Sequence, residues 1–180
     1  RGVLIMYFAS FPRIPYDSVG NDDFKTVTNI LKRVAARAKI TQSVSFFDTY
    51  DVKNGETPEM IAHKLYGDPE LHWVILLMND IVDRYHQWPM SSRQFLAHLN
   101  DKYTNVDAVH HYEISQSSGD TTIKINIGTS NTDYPSATAI TNREYEQELQ
   151  DELRKIKLLD PAYLEDFVTE FENLMSRSVL

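Results

Sequence analysis

A chain of 180 residues with a formal charge of −8 and no cysteine suits one compact domain with extensions, and it is barred from disulfides, thiolate metal sites, iron–sulfur clusters and cysteine nucleophiles. Its 42% hydrophobic content can supply a real core, and its acidic balance speaks against nucleic-acid binding, which draws on clustered Lys and Arg. The charge is uneven: residues 1–40 hold seven Lys/Arg against three Asp/Glu, residues 41–140 six against thirteen, and residues 141–180 five against ten. A basic outer face on one early helix accounts for this polarity; the other reading is a basic leading segment that docks on acidic partners or on copies of itself.

The apolar run at residues 2–9 falls well short of the ~20 residues a membrane span needs and makes a poor signal peptide. Met6 within it is a candidate start. Tyr7, Phe8, Phe11, Pro12, Ile14, Pro15 and Tyr16 form a stretch that the prolines bar from helix and that is too apolar for a solvated linker, which predicts an extended arm lying in a groove. Asn21, Asp22 and Asp23 offer helix-start chemistry. Phe24, Val27, Leu31, Val34, Ala35 and Ala38 follow at helical spacing, which predicts a helix over 23–39.

A strand is expected over 44–53. Thr57 and Pro58 then read as the N-cap and first residue of a helix, and Gly67 as its left-handed C-terminal stop. Asp68-Pro69 repeats the device before a run, Leu71 to Met78, that is apolar nearly all round and therefore buried. Trp88-Pro89 breaks the chain, and Ser91 or Ser92 caps a helix reaching about Tyr103. Alternation over 109–128 predicts a β-hairpin with one polar face; 128–141 reads as loop. Asn142 starts a charged helix with Tyr145, Leu149 and Leu153 on one side, 154–159 reads as a short strand, and Asp160-Pro161 caps a last helix striped with Leu164, Phe167, Val168, Phe171, Leu174 and Met175.

Motifs for catalysis are missing. The six histidines never fall at HExxH spacing, and only His111 with Glu113 share a strand face. Paired carboxylates such as Asp22/Asp23, Asp48/Asp51, Asp80/Asp83 and Glu165/Asp166 read as caps or solvated faces, and there is no GxSxG elbow, phosphate loop or dinucleotide fingerprint. No metal or cofactor is expected. Twenty aromatic residues, ten of them tyrosine, point instead to interfaces.

The run Tyr50-Asp51-Val52-Lys53-Asn54-Gly55-Glu56-Thr57, with Ile61-Ala62, Tyr66-Gly67 and Leu76-Leu77-Met78-Asn79, resembles a lysin-motif (LysM) module, a βααβ fold. That family's second strand is not evident after Ile81. A longer match is carried by Leu65-Tyr66-Gly67-Asp68-Pro69-Glu70-Leu71-His72-Trp73-Val74-Ile75-Leu76-Leu77-Met78-Asn79-Asp80, then Asp83, Tyr85 and Trp88. It resembles the core signature of baseplate wedge proteins of contractile-tailed bacteriophages, the wedge protein fifty-three family. The aromatic arm and the tail from Arg154-Lys155-Ile156-Lys157 through Leu164, Phe167 and Phe171 are similar in character.

The order of elements along the chain, with the LysM-like core that the resemblance implies, predicts an α+β fold: a LysM-like βαα(β) core with an extended N-terminal arm and helix (1–40), the core and its following helix (41–108), a β-hairpin insertion and loop (109–141) and a C-terminal helical tail (142–180). The resemblance implies a non-enzymatic structural component of the tail baseplate in the virion, joining neighbouring wedges around the hub in a six-fold assembly, and the missing cysteines fit assembly in the reducing bacterial host cytoplasm. The implied partners are other wedge proteins, including the sheath-like wedge component, with no nucleic acid and no membrane. The candidate interface is Tyr7, Phe8, Phe11, Ile14 and Tyr16 on the arm and Leu164, Phe167 and Phe171 on the last helix. The alternative is a LysM-type peptidoglycan-binding module with a groove at Gly55, Glu56, Thr57, Asn79, Asp80 and Ile81.

Overall fold

The fold was described from a computed structural model, which describes residues 7–32, 47–117, 120 and 122–177. The chain divides into two compact units: residues 1–52, 56–88 and 156–180 form the first, and residues 53–55 and 89–155 the second. Helices and small antiparallel sheets mix in an α+β arrangement.

The first unit opens with a 3₁₀ turn, Tyr7–Ser10, and a two-stranded ribbon of β1 (Arg13–Tyr16) and β2 (Lys25–Thr28), paired antiparallel with Ile14 opposite Val27. The strand β2 corrects the expected helix over 23–39 across the residues described. Thr26, Val27 and Thr28 are β-branched and suit a pleated strand. The carboxylate of Asp17 accepts from the N–H groups of Val19, Gly20 and Asp22 at 3.0, 2.7 and 2.8 Å and folds the intervening loop, so the chain returns beside β1. Asn21, Asp22 and Asp23 therefore shape a turn, with Asp22 left-handed at φ 64°, and cap no helix. The remainder of that expectation, residues 33–39, lies outside the described residues, as do 44–46 of the expected strand.

The strand β3 spans Phe47–Asp51. Helix α1, Pro58–Tyr66, begins and ends as its sequence dictates: the Thr57 hydroxyl accepts from Met60 N–H at 3.4 Å, and Gly67 at φ 75° donates its N–H to His63 O. A 3₁₀ turn at Pro69–Leu71, capped by Asp68, leads into α2, His72–Met78, whose Trp73, Val74, Ile75 and Met78 are buried. A short helix, α3 (Arg84–Gln87), follows; Asp83 caps it and the Gln87 side chain accepts from Val82 and Asp83 N–H.

No strand lies between Ile81 and Trp88. The partner of β3 is β7, Lys155–Leu159, more than a hundred residues later in the chain. A 3₁₀ turn at Pro161–Tyr163 and helix α6, Leu164–Arg177, then close the core. Its members come from both ends of the chain: Phe11, Val52, Ile61, Trp73, Ile75 and Trp88 meet Ile156, Leu158, Leu159, Val168, Phe171 and Met175.

The second unit holds α4 (Ser92–Lys102), started by a Ser91/Gln94 capping box, and a sheet of order β5-β4-β6. The strands are β4 (Val109–Ser115), β5 (Lys124–Gly128) and β6 (Thr138–Thr141). The hairpin expected over 109–128 is β4 with β5. The loop expected over 128–141 is corrected at its end: Thr138, Ala139, Ile140 and Thr141 form β6 because the open edge of β4 takes up their backbone groups. Helix α5, Asn142–Arg154, starts at a Thr141/Glu144 capping box. Its expected apolar side is also corrected. Leu149 is exposed, and the buried residues are Glu146 and Gln150, because each finds polar partners.

Candidate interaction surface

The candidate interface residues do not form one surface. Tyr7 packs against Phe11, Trp73 and Phe171 with ring centroids 4.9, 5.3 and 5.5 Å apart, and Trp73 lies 4.6 Å from Phe171 and 6.2 Å from Phe167. These separations suit offset and edge-on aromatic packing, so the arm is fastened to α2 and α6 by rings. Phe11 and Phe171 are buried, and Tyr7, Leu164 and Phe167 half-buried. Phe8 points outward at 61% exposure while keeping an edge on Tyr7 and Phe11. The Lys32 ammonium donates to Met175 O, a second tie to α6.

The ribbon behaves differently. Ile14 is half-buried, every residue of β2 is exposed, and Tyr16, Val19, Phe24, Ile30 and Leu31 are exposed, Leu31 to 86%. A two-stranded ribbon is marginal alone in water. Beside it the first unit carries a groove of about 570 Å³ in which Phe8, Ile30, Trp73, Leu76 and Leu77 share the lining with Lys32, Glu70 and His72.

The residues expected to line a glycan groove are largely engaged within the fold. The buried Glu56 carboxylate accepts from Tyr50 Oη at 2.8 Å and from the Lys64 ammonium, and its carbonyl accepts from the Trp88 indole at 2.8 Å. The Asn79 amide donates to Ile75 O and Lys157 O and accepts from Lys157 N–H, each at 2.8 Å, so it pairs with the backbone of β7 as a neighbouring strand would. The Thr57 hydroxyl caps α1, Gly55 and Asp80 hold left-handed turns at φ 77° and 54°, and Ile81 is half-buried with its N–H on Leu76 O.

The second unit contains a polar cluster that the hydrophobic pattern concealed. The Glu146 side chain is buried, accepting from Lys102 Nζ and Tyr103 Oη at 2.7 Å each and lying 3.3 Å from His98 Nε2. Burial pushes its pKa up, but the hydrogen bonds from Lys102 and Tyr103 and the lysine charge outweigh that and hold it below the usual carboxylate value. The sequence signal was a Lys-Tyr pair ending α4 opposite a glutamate-rich helix. Gln150 Oε1 accepts from Met90 N–H at 2.8 Å. Among the described residues, no group of three or more His, Asp or Glu side chains is arranged to hold a metal ion, and no helix is long and apolar enough to cross a membrane.

Comparison with known proteins places the chain in a family. A family model described as base plate wedge protein 53 matches residues 6–172, across both units. The chain belongs to that family. A curated relative, the baseplate wedge protein gp53 of Enterobacteria phage T4, is 25% identical over 182 residues, which covers 93% of this chain and 87% of the relative. The chain is thus a structural component of a phage tail baseplate wedge.

Proposed function

We propose that this protein joins neighbouring baseplate wedges around the hub, in a six-fold assembly, through contacts made by its arm, its ribbon and its last helix. The observation that carries the reading is the exposed apolar set on the β1–β2 ribbon and the segments joined to it: Tyr16 on β1, Val19 and Phe24 in the connecting loop, and Ile30 and Leu31 just after β2. The core rings Phe11, Trp73 and Phe171 serve as the anchor, and Phe8, Ile14 and Tyr16 face the neighbour, with Leu164 and Phe167 at the margin. Its partners are the other wedge proteins, including the sheath-like wedge component. Extended segments held by a buried anchor keep their contacts while domains rotate, which suits a tail that contracts. The role is scaffolding, without catalysis, nucleic acid or membrane. A cysteine-free chain suits assembly in a reducing host cytoplasm.

The first unit also supports a LysM-like reading in which β3, α1 and α2 are completed by β7 in place of a strand after Ile81. Glycan binding is not part of the proposal, because Glu56 and Asn79 are engaged internally. The test is a chain carrying Tyr16→Ser, Phe24→Ser and Leu31→Ser. Its circular dichroism and urea midpoint are expected to match the parent, while incorporation into assembling baseplates falls by roughly tenfold or more, the scale of losing an interface hot spot. Incorporation at the parent level, or a baseplate reconstruction in which arm and last helix touch only their own chain, sinks the reading. Retention on peptidoglycan that is lost with Asn79→Ala would favour the glycan-binding alternative.

A further inference from the structure

The register of the β1–β2 ribbon fixes which of its backbone groups face inward. Asn29 N–H donates to Pro12 O at 2.8 Å, and these two residues stand opposite each other one step beyond the Arg13–Thr28 pair. In an antiparallel ladder, opposed pairs that exchange hydrogen bonds alternate with pairs that do not. Ile14–Val27 and Tyr16–Lys25 therefore carry the ladder, while Arg13–Thr28 and Pro15–Thr26 turn their backbone groups outward.

The two outer edges differ. On β1 the outward positions are Arg13 and Pro15, and the proline has no N–H, so a further strand would meet an interrupted row. On β2 they are Thr26 and Thr28. Thr28 O accepts from Ile30 N–H at 3.1 Å, which leaves Thr26 N–H, Thr26 O and Thr28 N–H facing out. Among the described residues no third strand covers them: the sheet is β1 with β2 alone, and both threonines are exposed. A third strand is what a marginal ribbon lacks.

Side chains state the chemistry of that strand. Lys25 and Val27 share one face of the ribbon with Tyr16 and Ile14, and Val27 is 38% exposed. Lys25 is exposed and forms no ion pair among the described residues; Asp17 is spent on loop N–H groups, and Asp22 and Asp23 lie in the loop before β2. A strand beside β2 thus fits with an apolar residue against Val27 and a carboxylate, two residues along, against Lys25. A second copy of β2, laid antiparallel and centred on Val27, would put Asn29 beside Lys25 and supply no acid.

We propose, resting on the contact role proposed above, that the outer edge of β2 takes a third strand from a different baseplate protein, an extended segment with an apolar residue for Val27 and a carboxylate for Lys25. The test uses the full chain. Thr26→Pro removes only an outward N–H, the device Pro15 already uses directly opposite, so the amide shifts and exchange protection of Ile14 and Val27 should be kept while incorporation into assembling baseplates falls by roughly tenfold. Thr26→Val keeps that N–H and should incorporate like the parent; equal loss in both variants overturns the proposal. Lys25→Glu should lower incorporation several-fold, less so at high salt, and parent-level incorporation overturns the carboxylate. The Thr26 and Thr28 amides should exchange freely in the isolated chain and be protected in finished baseplates. Unprotected amides there, or normal incorporation of Thr26→Pro with its ladder intact, overturn the edge; a loss still seen for the Tyr16, Phe24 and Leu31 serine variant would then leave the contact role standing without it. A dimer of the isolated chain with these amides protected overturns the choice of partner. Should Thr26→Pro disturb the ladder, amide exchange in the parent decides.

Discussion

Two side chains illustrate how polar groups hold this fold together, and each can be tested alone. Asn79 ends α2 and simultaneously pairs with Lys157 on β7, so its amide substitutes for a missing strand neighbour. Asn79→Ala leaves Ile75 O and both backbone groups of Lys157 without that partner, and about 1–3 kcal/mol of stability should be lost, measured by urea unfolding. Asn79→Asp should be no better, since a carboxylate accepts from Lys157 N–H but opposes two carbonyl oxygens. Glu146 makes the corresponding tie between α4 and α5. Its folded pKa is depressed below the ordinary value of 4.5, so its contribution is present above that value and is lost as pH falls through the folded one. An acid titration of stability should therefore fall more steeply below about pH 4.5 in the parent than in Glu146→Gln, which should already be weaker at neutral pH.

At the scale of elements, helix ends were written locally and can be read locally. Thr57-Pro58 and Gly67 bracket α1, and capping boxes open α4 and α5, because a cap needs only its neighbours within one turn. Gly67 sits at φ 75° with open space where a Cβ would stand, so Gly67→Ala should cost about 1–2 kcal/mol from backbone strain alone, and Gly67→Asn less. A thermal melt of the two variants against the parent separates them; equal melts would mean that the left-handed cap does not matter. The helix expected over 23–39 shows the opposite case. Its apolar spacing fits a helix, but the described residues 25–28 form a strand, because Asp17 folds the chain back and β1 offers a ladder. Spacing cannot detect a partner strand that lies nine residues earlier.

For the whole molecule, the core of the first unit is closed by residues from beyond position 155. Residues 47–88 contain β3, α1 and α2 but lack Leu158, Leu159, Val168, Phe171 and Met175, on which their apolar faces pack. A chain truncated after Arg154 should thus lose cooperative unfolding of the first unit, read as collapsed amide dispersion in NMR spectra, even though the resembling core signature ends at Trp88. Native-like dispersion for residues 47–88 in that truncation would contradict this account. The break in the LysM pattern after Ile81 was legible as an absence; that β7 supplies the pairing strand was not, since strand pairing leaves no mark on sequence separation.

The sequence by itself determined what depends on near neighbours and on a long, specific signature: the helix caps, the buried run around Trp73, the β4–β5 hairpin and the wedge family. The tertiary structure alone decided which distant groups meet. It set the rings of the arm against Phe171, the Asn79 amide on β7, and Glu146 between Lys102 and Tyr103. These are contacts in which a polar or apolar group is satisfied by a partner far along the chain. Neither periodicity nor composition records such a partner.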